Sequence, residues 1–417
     1  MAYVAIVLIA TLARLELSPD LAAAGAHLVR AFNPTFGWSD AIDGLRNVAL
    51  FAGLGAVWLT TTTAPLGTEI RRATLVGLGL SAIVEGLQLF SPIRSASVVD
   101  LATNAGGAFV GALGTAWLIT ATVRARGARS YLGVPSLLVA GSYGIAVACE
   151  ALTPLFRSAA AADVHGGPLT RLRLMLALSL PVELWQIPWL DIPLYAPAGF
   201  LGVMLLAELG WGARRAWPLV AAGGAAVTLG LEVAHGALGL SIRWEAALTH
   251  AIALAAGAWA APRWLPVLTQ ELRGAARARG ALGAYALLLV LWAWRPLVPR
   301  IDPAAIAAHL SLSQLIPLES VASRSDAFSA LHVLQQFFLY FPLGAVLAVW
   351  PLRARGRWAH LRPALALAIL LEIGHIVIDE RLFDVTNALL ACAGLVLGWT
   401  VLRRSGFAPY GEALTPR

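Results

Sequence analysis

The residues most suited to chemistry form a polar pair that occurs three times in an otherwise apolar sequence. Each pair is a glutamate followed three residues later by an amide or an imidazole: Glu85 with Gln88, Glu232 with His235, and Glu372 with His375. Residues three apart share one face of a helix, so the two polar groups of a pair project together. Two Glu-x-x-His helices hold a di-iron centre when two further helices each supply a glutamate. Because Gln88 is a poor metal ligand at the aligned position, we predict a shared hydrogen-bonding role, with no metal and no cofactor.

A second set of polar residues surrounds each pair. One member precedes the pair, at Asn47 in the first copy and at Asp191 in the second. The others follow the pair after a short connection. They are Arg94, Asp100, Thr103 and Asn104; Arg243, Glu245, Thr249 and His250; and Arg381, Asp384, Thr386 and Asn387. Their order contains no recognisable nucleophile with its base, so no catalytic residue is assigned.

Two interpretations of these residues remain open. In the first they form a pocket for a polar head group, in which Arg94 binds a phosphate or carboxylate through two parallel hydrogen bonds. Glu85 and Asp100 would then orient this arginine or accept sugar and amine donors. In the second they form a structural clasp between two helices, with Thr103 and Asn104 capping the second helix. The two interpretations are compatible with each other.

Three landmarks recur in the same order and divide the chain into repeated units. An aromatic residue precedes Gly55, Gly199 and Gly344 by four positions; the glutamate pair comes next; a threonine with a glycine eight residues later closes the unit. The repeat period is about 140 residues. We predict units at 1–130, 131–265 and 281–417, the last with a short cytoplasmic tail, and a cytoplasmic linker or amphipathic surface helix at 266–280. The second unit is the most divergent.

The composition places these units in a membrane. Apolar residues make up 59% of the chain and charged residues only 13%, and the mean hydropathy is +0.75, whereas about a quarter of the residues of a soluble protein are charged. Apolar stretches approach the roughly 20 residues that cross a bilayer as a helix, and the alternating segments of a membrane barrel are absent from the sequence. We predict an all-α, polytopic transmembrane helical bundle of about 12 helices, arranged as three parallel four-helix repeats.

The basic residues predict the orientation of the bundle. All 30 are arginines, and the formal net charge is +7. A nucleic-acid partner is excluded, because the arginines lie in short loops between apolar segments instead of on one soluble face. The clusters occur in alternate loops, which are therefore expected to be cytoplasmic. Both termini are then cytoplasmic, and the polar motifs face outward.

The first unit resembles a VanZ domain. The resemblance rests on the run from Arg46 to Phe51, the run from Ile83 to Phe90, and the spaced residues Arg94, Asp100, Thr103, Asn104, Gly107 and Gly111. It covers residues 3–121, with Gly53 where the family usually has proline. The third unit resembles the family through Tyr340, Pro342, Gly344, Glu372, Arg381, Asp384, Thr386 and Asn387. The resemblance implies a bacterial cytoplasmic-membrane protein. The family is named for a member that raises resistance to the glycopeptide teicoplanin.

Three functions are compatible with these patterns. The favoured one is a cell-envelope protein that binds a membrane lipid or a lipid-linked, peptidoglycan-related head group at its outer face, with an associated role in glycopeptide resistance or envelope homeostasis. A transporter or flippase with a central polar path is one alternative. An intramembrane enzyme acting on a lipid substrate is the other. Any activity is expected mainly in the first and third units, which keep most of the motif.

Overall fold

The computed structural model describes residues 4, 7–8, 11–12, 18, 20–32, 38–62, 64–92, 96–124, 131, 134–159, 187–237, 243–271, 275–300, 302–309, 311–317, 327–349, 360–379 and 381–406. Of the structure, 84% is helical, and no β-strand occurs in these ranges. The predicted all-α bundle is thereby confirmed. Its arrangement as three parallel repeats stays a prediction.

The helices are numbered here in chain order. In the first third of the chain they are α1 (Leu21–Ala31), α2 (Trp38–Thr61), α3 (Leu66–Gln88) and α4 (Val98–Arg124). There follow α5 (Ser136–Ala159), α6 (Ile192–Glu208), α7 (Ala213–Ala237) and α8 (Trp244–Glu271). The last are α9 (Ala275–Ala293), α10 (Pro303–His309), α11 (Ala327–Val349), α12 (Arg362–Gly374) and α13 (Val385–Arg404). Short 3₁₀ turns lie at Trp189–Asp191 and Leu312–Leu315.

Two compact units divide the chain. The first comprises Met1–Arg124, Ser311–Ala330 and Asp384–Thr386, and the second comprises the remainder. In the first unit, α2 and α3 both pack on α4. Its buried side chains include Phe51 and Leu54 of α2, which lie against Ala108 of α4. In the second unit, α6, α7 and α8 pack together around a core of Val203, Met204, Ala216, Ala258, Ala261 and Leu265.

Six helical segments are long and apolar enough to cross a membrane, among the residues described. They are Val98–Val123, Ser136–Thr153, Trp189–Glu208, Ala213–His235, Leu331–Val349 and Val385–Arg404. Shorter apolar helical segments lie at Leu50–Thr61 and Leu282–Ala293. Many large apolar side chains on these helices are exposed, for example Trp117 and Val227. Such exposure suits a helix that faces lipid instead of water.

Close glycine contacts join three helix pairs in the same way. A Cβ at Gly111 of α4 would lie 1.9 Å from the carbonyl oxygen of Ala52 in α2. Similar contacts are made by Gly257 of α8 on Ala196 of α6, at 1.8 Å, and by Gly394 of α13 on Phe337 of α11, at 2.0 Å. Backbones that approach this closely leave no room for a side chain, which is the packing that small residues permit between membrane helices.

In the third helix pair, the glycine contacts differ by one helical turn from the alignment that the sequence pattern gives. Gly394 approaches Phe337 as Gly107 approaches Val48, and Gly398 approaches Phe341 as Gly111 approaches Ala52. Asn387 therefore corresponds in packing to Asp100, whereas the sequence pattern aligned it with Asn104. Positions four apart lie on the same helix face, so spacing alone does not separate the two alignments.

Several elements differ from their sequence-based outline. Helix α12 has only 13 residues, because the chain turns at His375 and forms an isolated β-bridge between Ile378 and Pro299. Gly374, at the end of α12, lies so close to the Trp294 indole that a Cβ would be 2.4 Å from its Nε1. Residues 266–271 continue α8, and residues 275–280 begin α9. The segment predicted as a linker or surface helix thus belongs, where it is described, to two long helices.

Candidate functional site

Two of the three motif glutamates bind the start of the following helix. The Oε2 atom of Glu85 accepts a hydrogen bond of 2.8 Å from the N–H of Ser97, directly before α4. The Oε2 atom of Glu232 accepts one of 2.8 Å from the N–H of Arg243, directly before α8. The first N–H groups of a helix have no partner within it, and the helix dipole favours a negative charge at this end. Each glutamate thus ties the end of one helix to the beginning of the next.

The third glutamate binds a side chain of the next helix instead. Its Oε1 atom accepts a hydrogen bond of 3.2 Å from Nδ2 of Asn387 in α13. The N–H of Thr386 is bound by Oδ1 of Asp384 at 2.7 Å. Glu372, Asp384, Thr386 and Asn387 are all buried. The geometry of all three glutamates is therefore that of a clasp between consecutive helices.

Two of the three motif arginines lie among the described residues, and their side chains bind groups other than the glutamate of a Glu-x-x-Gln or Glu-x-x-His pair. Arg381 donates from Nε to the carbonyl oxygen of Arg295 at 2.7 Å, beyond the end of α9. Arg243 forms an exposed ion pair of 3.2 Å with Glu245. Arg94, which the pocket interpretation requires, lies outside the described residues. The phosphate fork predicted for it stays a prediction.

The amide and imidazole members of the pairs are buried beside their glutamates. His375 Nδ1 lies 3.2 Å from Glu372, and its Nε2 lies 3.0 Å from the carbonyl oxygen of Ala293. His235 Nδ1 lies 3.1 Å from Glu232, but its buried Nε2 has no hydrogen-bond partner among the described residues. Gln88 is also buried. No group of three His, Cys, Asp or Glu side chains that could hold a metal occurs within the described ranges.

Polar residues of the first half of α2 and of the first two turns of α4 bond to one another and to α3. Asn47 donates from Nδ2 to Oδ1 of Asp100 at 2.7 Å. Thr103 donates from its hydroxyl to the Asp100 carbonyl oxygen at 3.1 Å. Asn104 donates from Nδ2 to the Ser81 hydroxyl at 2.8 Å, and both side chains are buried. In α8, Thr249 donates in the same local manner to the carbonyl oxygen of Glu245, at 2.6 Å.

An apolar groove adjoins the Asn47–Asp100 pair. Its volume is ≈ 630 Å³. Val48 and Val99 line it, and each is the chain neighbour of one member of the polar pair. The other lining residues are Phe32, Val98, Ala102, Thr103, Gly106, Phe109 and Val110. The groove thus has lining residues directly beside both members of the polar pair, Asp100 in the first turn of α4 and Asn47 in the third turn of α2.

A charged network that the sequence motifs do not predict lies in the second compact unit. Arg295 follows α9, and its guanidinium binds Asp191 through Nη1 and Glu150 through Nη2, the latter at 3.0 Å. The other oxygen of Asp191 lies 2.9 Å from Nε2 of His250. The other oxygen of Glu150 accepts a hydrogen bond of 2.7 Å from Nε2 of Gln335. Asp191 and His250 were among the predicted site residues, and the other three were not.

One sequence signal points to the missing members of this network. Glu150 and Arg295 stand near the ends of two apolar spans, and they are separated by about one repeat period. Residues of opposite charge at equivalent positions of two repeats are candidates for an ion pair, because neither charge is tolerated alone among membrane helices.

Comparison with known proteins identifies the first part of the chain. Residues 2–119 match the family model VanZ-LLP1, described as VanZ/LLP1. This region is a VanZ-like domain. No curated protein and no solved structure matches the chain.

The VanZ-like domain holds α1 to α4 apart from the last residues of α4, and with them the Glu85 clasp, the Asn47–Asp100 pair and the groove. The resemblance seen in the first unit is confirmed by this match. The match does not extend to the second and third units, whose resemblance stays a prediction. A VanZ-like domain together with six apolar helices indicates a membrane protein.

Proposed function

We propose that this protein acts in the bacterial cell envelope by binding a membrane lipid or a lipid-linked, peptidoglycan-related head group at the VanZ-like domain. The acyl or prenyl chain lies in the apolar groove beside α4, and the polar head group lies at the Asn47–Asp100 pair. Glycopeptide resistance or envelope homeostasis is the expected cellular role. The proposal includes the orientation given by the arginine clusters, with both termini in the cytoplasm and the motifs facing outward.

The observation that carries the proposal is the junction of groove and polar pair. A lipid has the same division between apolar chain and polar head, and ligand sites are typically apolar clefts with a few placed polar groups. The remaining motif residues support it indirectly. Because Glu85 is engaged with the start of α4, it holds the helix end that presents Asp100. The clasp and the pocket are then two parts of one arrangement.

Filling the groove tests the proposal. Gly106 lines the groove, and a Cβ at this position would meet no atom within 4 Å. We expect Gly106→Leu to abolish co-purification of a bound lipid with the full chain, measured by native mass spectrometry. Gly114→Leu is the matched control, because Gly114 lies two turns further along α4, outside the groove, and also has open space around it. Both substitutions raise helix propensity by a similar amount.

The outcomes separate binding from stability. If Gly106→Leu loses the lipid while Gly114→Leu keeps it, and both unfold at the temperature of the parent protein, the groove is the lipid site. If both variants retain the same lipid, the proposal is wrong. In cells that depend on the protein for glycopeptide resistance, Gly106→Leu should also restore sensitivity at unchanged protein abundance.

The transporter and enzyme alternatives stay predictions. A transporter with a central path requires polar residues at several depths along facing helices, whereas the described motif residues cluster near helix ends. An enzyme requires a nucleophile or an activated water at the groove, whose lining is apolar except for Thr103.

A further inference from the structure

The charged network around Arg295 serves neither the VanZ-like domain nor the motif clasps. Its members lie in the second compact unit: Glu150 lies in α5 and Gln335 in α11, each more than two turns from the nearer end of its helix. Arg295 follows the last residue of α9 by two, and Asp191 directly precedes the first residue of α6. Helix ends of this kind lie at the depth of lipid head groups.

The network carries more negative than positive charge. Two carboxylates, Glu150 and Asp191, share the single guanidinium of Arg295. Its formal charge is therefore −1 when His250 is neutral. Charged side chains among membrane helices are stable only when they are paired, so with a neutral His250 a further cation would balance the charge of the network.

The two carboxylates of the network have lone pairs that no donor among the described residues occupies. An ionised carboxylate offers about four lone-pair sites. Glu150 receives two donors, from Arg295 and Gln335, and Asp191 receives two, from Arg295 and His250. Both terminal nitrogens of the guanidinium are already engaged, and its Nε, which has no partner among the described residues, is buried, so an incoming anion would find no accessible two-pronged donor. The network is thus suited to a donor-rich cation and unsuited to a phosphate.

The network is also accessible. The side chain of Glu150 is 29% exposed, more than those of Asp191, His250 and Arg295, at 20%, 18% and 14%. Arg295 is held in place by the Trp292 ring, which lies 3.8 Å below its guanidinium carbon. His250 is held by parallel stacking on Tyr195, with ring centroids 3.8 Å apart. The positions of the charges are therefore set before a ligand arrives, and Glu150 is the group that a ligand reaches.

We infer that this network is a binding site for a primary ammonium group, with Glu150 as the contacting carboxylate and Asp191 adding to the negative field. A primary ammonium has one positive charge and three N–H donors. It balances the formal charge, and its donors take the unused carboxylate lone pairs. The same group occurs in the ethanolamine head group of a lipid and in small free amines.

The experiment uses the purified full chain and four probes. Phosphatidylethanolamine carries the primary ammonium, phosphatidylcholine carries a quaternary ammonium without N–H donors, and phosphatidylglycerol carries no cation; free ethanolamine is the soluble amine. We expect phosphatidylethanolamine alone among the lipids to raise the unfolding temperature. Stabilisation by ethanolamine as well would assign the site to amines in general, and its absence would assign it to the lipid.

Two variants and a control decide whether the network binds phosphatidylethanolamine. Glu150→Gln keeps the size and a hydrogen-bonding group but removes the charge, and it should weaken phosphatidylethanolamine binding about tenfold or more. Asp379→Asn removes a carboxylate that lies outside the network and should retain binding. Asp302→Asn is the control, since Asp302 is an exposed residue that caps α10 and asparagine caps equally well.

The expected pattern is loss of binding in Glu150→Gln and retention in the other two variants. Equal stabilisation by all three lipids, or an unchanged preference for phosphatidylethanolamine in Glu150→Gln, would overturn the inference. Unfolding temperatures without lipid are measured first, so that a destabilised variant is recognised as such. Because the site lies outside the VanZ-like domain, filling the groove with Gly106→Leu should leave it unaffected.

Discussion

The helix pairs α2–α4 and α6–α8 have the same glycine packing but opposite polar chemistry at the same end. In α2–α4, Asn47 donates to Asp100, so one amide and one carboxylate complete the link. In α6–α8, the residue aligned with Asn47 is Asp191, an acceptor, which binds His250 of α8. A carboxylate in this position requires a cation, and it obtains one from Arg295 beyond the end of α9.

This difference shows how a single change of residue type alters what a helix pair depends on. The amide of Asn47 is satisfied within its own group of helices. The carboxylate of Asp191 makes α6–α8 depend on a residue about 100 positions later in the chain, and through that residue on Glu150 and Gln335. Charge thus connects segments that the glycine contacts alone leave separate.

The largest expected effect comes from removing the shared cation. Arg295→Met leaves Glu150 and Asp191 as adjacent carboxylates without their partner. The loss of one member of a buried ion pair costs about 3–5 kcal/mol, and the partial exposure of this network places the expected cost at the lower end of that range. We expect a corresponding fall in the free energy of unfolding of the full chain, measured by thermal or denaturant unfolding in detergent. The double variant Arg295→Met with Asp191→Asn should recover part of this loss. Unchanged stability in Arg295→Met would remove the contrast between the two helix pairs.

A smaller effect, equal in both pairs, is expected at the glycine contacts. Gly111→Ala and Gly257→Ala each place a Cβ less than 2 Å from a carbonyl oxygen of the partner helix. Overpacking of this kind typically costs about 1–3 kcal/mol. Unfolding measurements on both variants should agree, with Gly114→Ala as a control that meets no atom within 4 Å. A large effect in one pair alone would indicate that the packing is not equivalent.

The smallest effect is expected from removal of the Asn47–Asp100 hydrogen bond. Asn47→Ala removes one hydrogen bond to a carboxylate, and such a bond contributes about 1.5–3 kcal/mol at most sites. Because the Asn47–Asp100 bond is only partly buried, water can replace the lost donor, and we expect the lower part of this range. The measurement is the unfolding midpoint of Asn47→Ala against that of Arg295→Met. A cost as large as that of Arg295→Met would contradict the distinction between a local amide link and a charged network.

The roles of the motif residues were only partly accessible from the sequence. The i, i+3 spacing correctly indicates that Glu232 and His235 lie together, because spacing within one helix is a local property. Spacing gives no sign that Glu85 binds the N–H of Ser97, whereas Glu372 binds the side chain of Asn387. That choice depends on how the connecting segment returns to the helix end. The sequence pattern also gives no sign of the one-turn shift of α13, because both alignments place the same face of this helix toward α11.

The sequence by itself determined the helical membrane character of this protein and the VanZ-like nature of its first part. Both follow from local properties: the length of apolar segments, the demand of lipid for internally bonded backbone, and a motif contained within residues 2–119. Only the tertiary structure decided which charges meet. The charged network joins three residues that lie in or beside different helices and far apart in the chain: Glu150, Asp191 and Arg295. Their contacts depend on helix packing that no single segment encodes. The short α12 was decided in the same way, because its end is defined by Trp294 of another segment lying against Gly374.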